Sequence, residues 1–120
     1  MTLPLSITVV LVGRDERLSY LLRRYIEQSG CHMAAFVEPP ALEDVARLQP
    51  AALIFSSIEH LREAQRLVES LSCHDIPVLV CGSPADEVCA RELGADACLL
   101  HPLVFDEFHA ALALLFPPNE

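Results

Sequence analysis

Glycine is scarce in this chain, with four in 120 residues. There is no Walker loop, no GxGxxG and no HExxH, so the common nucleotide-cradling and zinc-protease signatures are excluded. Basic charge is scarce too. Eight Lys and Arg face 17 Asp and Glu, for a net charge of −9. Such a field repels phosphate backbones and anionic bilayers, so neither nucleic acid nor membrane is an expected partner. No apolar run approaches the roughly 20 residues of a membrane span. The stretch Ile7–Val12 is short and lacks the basic lead-in of a secretory leader. The five cysteines (Cys31, Cys73, Cys81, Cys89 and Cys98) contain no CxxC pair and lie mostly in apolar stretches. That is the pattern of buried, reduced thiols, and it predicts a cytoplasmic setting. No cofactor and no metal is expected.

What the chain does have is apolar content. Hydrophobic residues make up 52%, enough for a real core and too much for a disordered segment. The length fits one domain, expected over residues 1–116. Pro117-Pro118-Asn119-Glu120 cannot continue a helix. These residues read as a tail or as the start of a linker to a fused output domain beyond Glu120.

Two kinds of segment alternate. Ile7–Val12 is β-branched and continuous, as a strand buried on both faces should be. Asp15 is a suitable N-cap for a helix running to Ser29, with Leu18, Leu21, Leu22, Tyr25 and Ile26 on one stripe. Further strands are predicted at Cys31–Val37, Ala52–Phe55, Ile76–Cys81 and Ala97–Leu100. Further helices are predicted from Pro39-Pro40 to Gln49, from Ser57 to Leu71, from Ser83-Pro84 to Gly94, and from Leu103 to Phe116. Five strands alternating with five helices predict an α/β fold. The expected form is a doubly wound, five-stranded parallel sheet of order 2-1-3-4-5, flavodoxin-like, with function at the carboxyl ends of its strands. Those ends are Gly13–Asp15, Ser56-Ser57, Gly82-Ser83 and His101-Pro102.

Four stretches, in order, resemble the receiver domain of bacterial two-component response regulators, the CheY-like family. Val9-Val10-Leu11-Val12-Gly13-Arg14-Asp15 is similar to the family's first strand, which ends in two acidic residues. Pro50-Ala51-Ala52-Leu53-Ile54-Phe55-Ser56 resembles the stretch ending in the phosphoacceptor aspartate. Ile76–Ser83 resembles the fourth strand, and Gly94-Ala95-Asp96-Ala97-Cys98-Leu99-Leu100-His101-Pro102 resembles the "GADDYLLKP" segment.

The departures from the family pattern fall on its chemistry. The acidic pair falls on Gly13 and Arg14, and the acceptor on Ser56, or on Ser57 in a register one residue later. The switch hydroxyl falls on Gly82 with Ser83 adjacent, the switch aromatic on Cys98, and the lysine on His101. Mg²⁺ needs clustered carboxylate oxygens, and only Asp15 is offered. Serine cannot form an acyl phosphate. The resemblance therefore implies a pseudo-receiver, with the fold kept and the phosphotransfer chemistry lost. It further implies a cis His101–Pro102 bond. It also implies a homodimer or partner face on the fourth helix, fifth strand and last helix, carried by Glu87, Arg91, Phe105, Asp106, Glu107, Phe108 and Leu112. The surplus of apolar residues in the last helix supports such an interface independently.

Other groupings of residues offer competing chemistry. Ser56, His101 and Asp15 have the chemical types of an acyl-transfer triad. However, strands three and five are separated by a strand, roughly 9–10 Å. Arg14 is placed to pair with Asp15 or Glu59 in lieu of a metal. Cys31-His32 and Cys73-His74 are zinc-type donors on strands too far apart to share an ion, roughly 14 Å. Cys81 and Cys98 lie on neighbouring strands and are expected to be able to touch. The expected function is a non-enzymatic receiver-like domain in signal transduction or transcriptional control, acting through protein contacts. The alternatives are an atypical active receiver phosphorylated on Ser56 or Ser57, or on Asp15 after local rearrangement, and a small-molecule binder or hydrolase using the Ser56–His101 crevice.

Overall fold

Consecutive aliphatic residues fit a strand only if both its faces are covered, and that is what the chain builds. The computed structural model describes residues 7–115. Strands β1 (Ile7–Val12), β2 (Cys31–Phe36), β3 (Ala52–Phe55), β4 (Val78–Gly82) and β5 (Ala97–Leu100) form one parallel sheet in the order β2-β1-β3-β4-β5. The expected fold class and strand order are those observed.

Helices α1 (Glu16–Gln28) and α6 (Phe105–Leu115) cover one face, where Leu18, Leu22, Ile26, Phe108 and Leu112 meet Val9, Leu11, Ile54, Leu79 and Cys81. Helices α2 (Leu42–Leu48), α3 (Ile58–Glu63), α4 (Gln65–Cys73) and α5 (Glu87–Glu92) cover the other, over Val10, Val12, Leu53, Phe55 and Val80. Asp15 caps α1 as expected, its Oδ1 accepting the Leu18 N–H at 3.1 Å.

Several expectations are corrected. There are six α-helices among the described residues, not five, with a 3₁₀ turn at Pro84–Asp86 leading into α5. The single helix expected over Ser57–Leu71 is broken at Ala64 (φ −111, ψ 30). The Gln65 side chain donates to the carbonyls of Leu61 (2.9 Å) and Leu93 (3.0 Å). This tether to the segment before β5 reorients the second half, and both halves bury their apolar stripes in the same core. Helix α2 starts at Leu42 rather than at Pro39-Pro40, and its Leu48 stands partly exposed. Strand β4 runs from Val78 to Gly82 rather than from Ile76 to Cys81, and the last helix begins at Phe105 rather than Leu103. Cys81 and Cys98 pack on opposite faces of the sheet, so they do not touch as expected. Phe116 and the tail Pro117–Glu120 lie outside the described residues.

Candidate functional site

The carboxyl edge of the sheet is assembled by backbone register. The Ser56 N–H donates to the Val12 carbonyl (2.9 Å), setting Ser56 beside Gly13. The His101 N–H donates to the Gly82 carbonyl (3.0 Å), setting His101 beside Gly82. The His101–Pro102 bond is cis.

Ser56 is buried, and its hydroxyl has no hydrogen-bond partner. The space it fills is the one left by the missing side chain of Gly13: a Cβ there would lie 1.8 Å from Ser56 Oγ. Serine and glycine thus close on each other where the receiver family resemblance places an acceptor and an acid. A buried hydroxyl in such a slot is a poor nucleophile, because nothing accepts its proton.

Neighbouring groups are engaged elsewhere. The Asp15 carboxylate is used as the α1 cap. Arg14 pairs with Glu38, not with the expected Asp15 or Glu59, because the turn after β2 carries Glu38 to the end of β1. Glu38 holds the exposed Arg14 guanidinium above its usual range, first by hydrogen bonding and then by charge. Asp86 folds back under Gly82, where a Cβ would meet its Oδ2 at 3.0 Å. That oxygen accepts the Ser83 N–H (3.0 Å) and the Ser83 hydroxyl (3.1 Å). Ser83 therefore points its hydroxyl into its own turn.

Ser57 caps α3, accepting the His60 N–H at 3.3 Å, and its Oγ lies 2.7 Å from His60 Nδ1. His60 was missed in the sequence. Its signal is a histidine three residues after an N-cap serine. The far nitrogen, Nε2, is buried and without a partner, so the pair lacks an orienting acid. The expected crevice of Ser56, His101 and Asp15 is not assembled, since Ser56 is sealed, His101 is exposed and Asp15 is a cap. Among the described residues no three His, Cys, Asp or Glu side chains are grouped to hold a metal ion. Cys98 is half-buried on the helical core of α2–α5, and burial raises its thiol pKa, with Glu87 and Asp86 adding to the effect.

The expected contact face is only partly available. Phe108 and Leu112 are buried in the molecule's own core and cannot serve a partner. Phe105 packs edge-on against Tyr25 (centroids 5.5 Å). Val88 (70% exposed), Val104 (43%), Arg91, Asp106 and Glu107 do face outward, and Glu87 is half-exposed. Val104 belongs to the apolar surplus expected of the last-helix segment, whereas sequence periodicity does not single out Val88.

No family model matches the chain. Among solved structures, a proposed response regulator from Chloroflexus aurantiacus superposes with a TM-score of 0.79 at 17% identity, over 94% of this chain and 99% of that one. The chemotaxis protein CheY4 of Vibrio cholerae gives 0.74 at 13%, over 92% and 98%. The pseudo-receiver domain of the CikA protein gives 0.69 at 21%, over 95% and 100%. A curated relative, the thiazole synthase of Exiguobacterium sibiricum, is 38% identical over 87 residues, which are 70% of this chain and 29% of that enzyme. The chain thus spans less than a third of that relative. The fold is that of receiver domains.

Proposed function

We propose that the chain is a receiver-like signalling domain that works by contact with other proteins and takes no phosphoryl group at the carboxyl edge of its sheet. The observation that carries this reading is the closure of Ser56 against Gly13, with the Ser56 hydroxyl buried and partnerless. Phosphoryl transfer needs an exposed acceptor and oxygen ligands for a hard cation. Here the acceptor position is sealed, Asp15 is committed to α1, and Arg14 with Glu38 occupies the rim. The thiazole synthase likeness covers under a third of that enzyme, whereas the receiver structures match over nearly the whole of both chains. The contact face is the surface of α5, β5 and α6, reduced to Val88, Arg91, Val104, Asp106 and Glu107, and the setting is the cytoplasm.

The test is titration of the chain with Mg²⁺ and an acyl-phosphate mimic, followed by amide NMR. Shifts at Gly13, Ser56 and Gly82 should stay unchanged at millimolar Mg²⁺, and incubation with a small phosphodonor should leave the mass unaltered. Movement of those amides, or a phosphorylated Ser56 or Ser57 in the mass spectrum, overturns the reading.

A further inference from the structure

The division between α3 and α4 has no local cause in the sequence. Helix α3 ends at Glu63 and α4 begins at Gln65. Neither glycine nor proline stands there, and Glu, Ala and Gln are all strong helix formers. A kink without glycine or proline comes from a group that enters the backbone ladder, and here that group is the Gln65 side chain. In an unbroken helix the Leu61 carbonyl accepts the N–H of Gln65. Gln65 Nε2 takes that carbonyl instead, at 2.9 Å, and also donates to the Leu93 carbonyl at 3.0 Å. The side chain thus competes with its own backbone. The bend it holds is costly. Helix α4 starts with no side-chain cap and no acidic residue in its first turn, so nothing of that kind serves its leading N–H groups.

The same side chain holds the end of α5. Leu93 is the C-cap of α5, the helix that carries Val88 and Arg91. Beyond it, Gly94 (φ +101) lies so close to α4 that a Cβ there would stand 2.7 Å from Val68 Cγ1. Asp96 is pinned to β4 independently: its N–H donates to the Val78 carbonyl (2.7 Å) and its Oδ2 accepts the Val78 N–H (2.8 Å). Gln65 therefore governs the end of α5 and the turn after it, and leaves β5 in place.

We infer that the α3–α4 junction is a two-state hinge with Gln65 as its latch. In the latched state, the one observed, the segment is bent and the end of α5 is held. In the released state residues 58–73 form one continuous helix and the end of α5 is free to shift. The straight form keeps a core-facing stripe, because Leu61, Ala64, Val68 and Leu71 fall within an arc of about 80° on an unbroken helix. It regains the backbone bonds of the junction. It loses the two amide bonds and part of the burial of Ile58 and Leu67, which fall outside that arc. Such opposed terms leave two arrangements of a packed element close in free energy. A partner docked on α5 that favours one position of its end shifts the hinge, and by reciprocity the hinge sets the affinity of that face. That consequence rests on the proposed function; the hinge itself does not.

The experiment compares the full 120-residue chain with Gln65→Ala and Gln65→Asn by NMR. Asparagine keeps the amide but is one methylene too short to reach both carbonyls. Both variants should show helical Cα shifts through Ala64, where the parent is non-helical. The amide of residue 65 should exchange at least tenfold more slowly as it takes the Leu61 carbonyl. The amides of Leu93 and Gly94 should move, and those of β1 and β3 should not. In the parent, relaxation dispersion should report exchange at one common rate for residues 62–66 and 91–94, on the microsecond-to-millisecond scale of such helix motions. A non-helical Ala64 with a fast-exchanging amide at position 65 in Gln65→Ala overturns the inference, since packing alone would then fix the bend. Flat dispersion profiles in the parent overturn it as well, whether or not the variants fold. A phosphorylated Ser56 alongside the expected hinge shifts would sink the proposed function and leave this inference standing.

Discussion

At the scale of single residues, the molecule turns on one contact, Gly13 against Ser56. A methyl group at position 13 would sit 1.8 Å from the serine oxygen and 2.5 Å from its Cβ, with the Ser56 backbone a comfortable 3.6 Å away. Overpacking of this kind costs about 1–3 kcal/mol. Gly13→Ala should therefore lower the unfolding free energy by that amount, read as a lower urea midpoint at unchanged slope. Adding Ser56→Gly should recover most of the loss, less up to ~1 kcal/mol for the extra backbone freedom of a glycine just after β3. If the double variant is no better than Gly13→Ala alone, the clash lies elsewhere. The glycine and the serine were each visible in the sequence as departures from the receiver pattern. Their mutual fit was not, because it depends on the register of β1 against β3.

At the scale of elements, α1 is the best determined. Its N-cap, its apolar stripe and its stop near Ser29-Gly30 are all local features, and Gly30 takes φ +84 as a helix end requires. Asp15→Ala removes the side chain that accepts the Leu18 N–H. The expected loss is about 1 kcal/mol, read as a lower thermal midpoint. Asp15→Asn should retain most of the stability, since asparagine caps nearly as well. A much larger loss from Asn would mean that the Asp15 charge, rather than the cap, matters. The α3–α4 pair is the opposite case. Its apolar spacing is continuous across Ala64, and the break is imposed by Gln65 reaching Leu93, 28 residues away. A helix wheel contains no information about that partner.

At the scale of the whole molecule, burial sets the thiol chemistry. The Cys81 thiol is pushed up to about 12, chiefly by burial and secondarily by Cys98. In the unfolded chain it titrates near 9.0. Between these values the unfolded state gives up its proton first, so stability is complete below about pH 9 and is lost as pH rises towards 12. The slope approaches about 1.4 kcal/mol per pH unit. Urea midpoints at mildly and strongly alkaline pH should therefore fall more steeply for the parent than for Cys81→Ala; equal slopes would count against a buried neutral thiol. Under native conditions a maleimide should label the exposed Cys73 first and Cys81 only on unfolding. Mass spectrometry of the labelled chain reads the order.

The sequence by itself determined the α/β class, the strand order and the identity of the residues at the carboxyl edge. Strand and helix are written in short-range periodicity, and right-handed crossovers leave few ways to join five such units. It also marked the last helix as too apolar. Only the tertiary structure decided where that surplus goes: Phe108 and Leu112 turn inward, Phe105 leans on Tyr25, and Val104, just before α6, is left outside. It likewise chose Glu38 for Arg14, split the third helix, put Cys81 and Cys98 on opposite faces, and sealed Ser56 beneath Gly13. Each of these is a contact between segments far apart along the chain, fixed by register and packing, and single-chain periodicity carries neither.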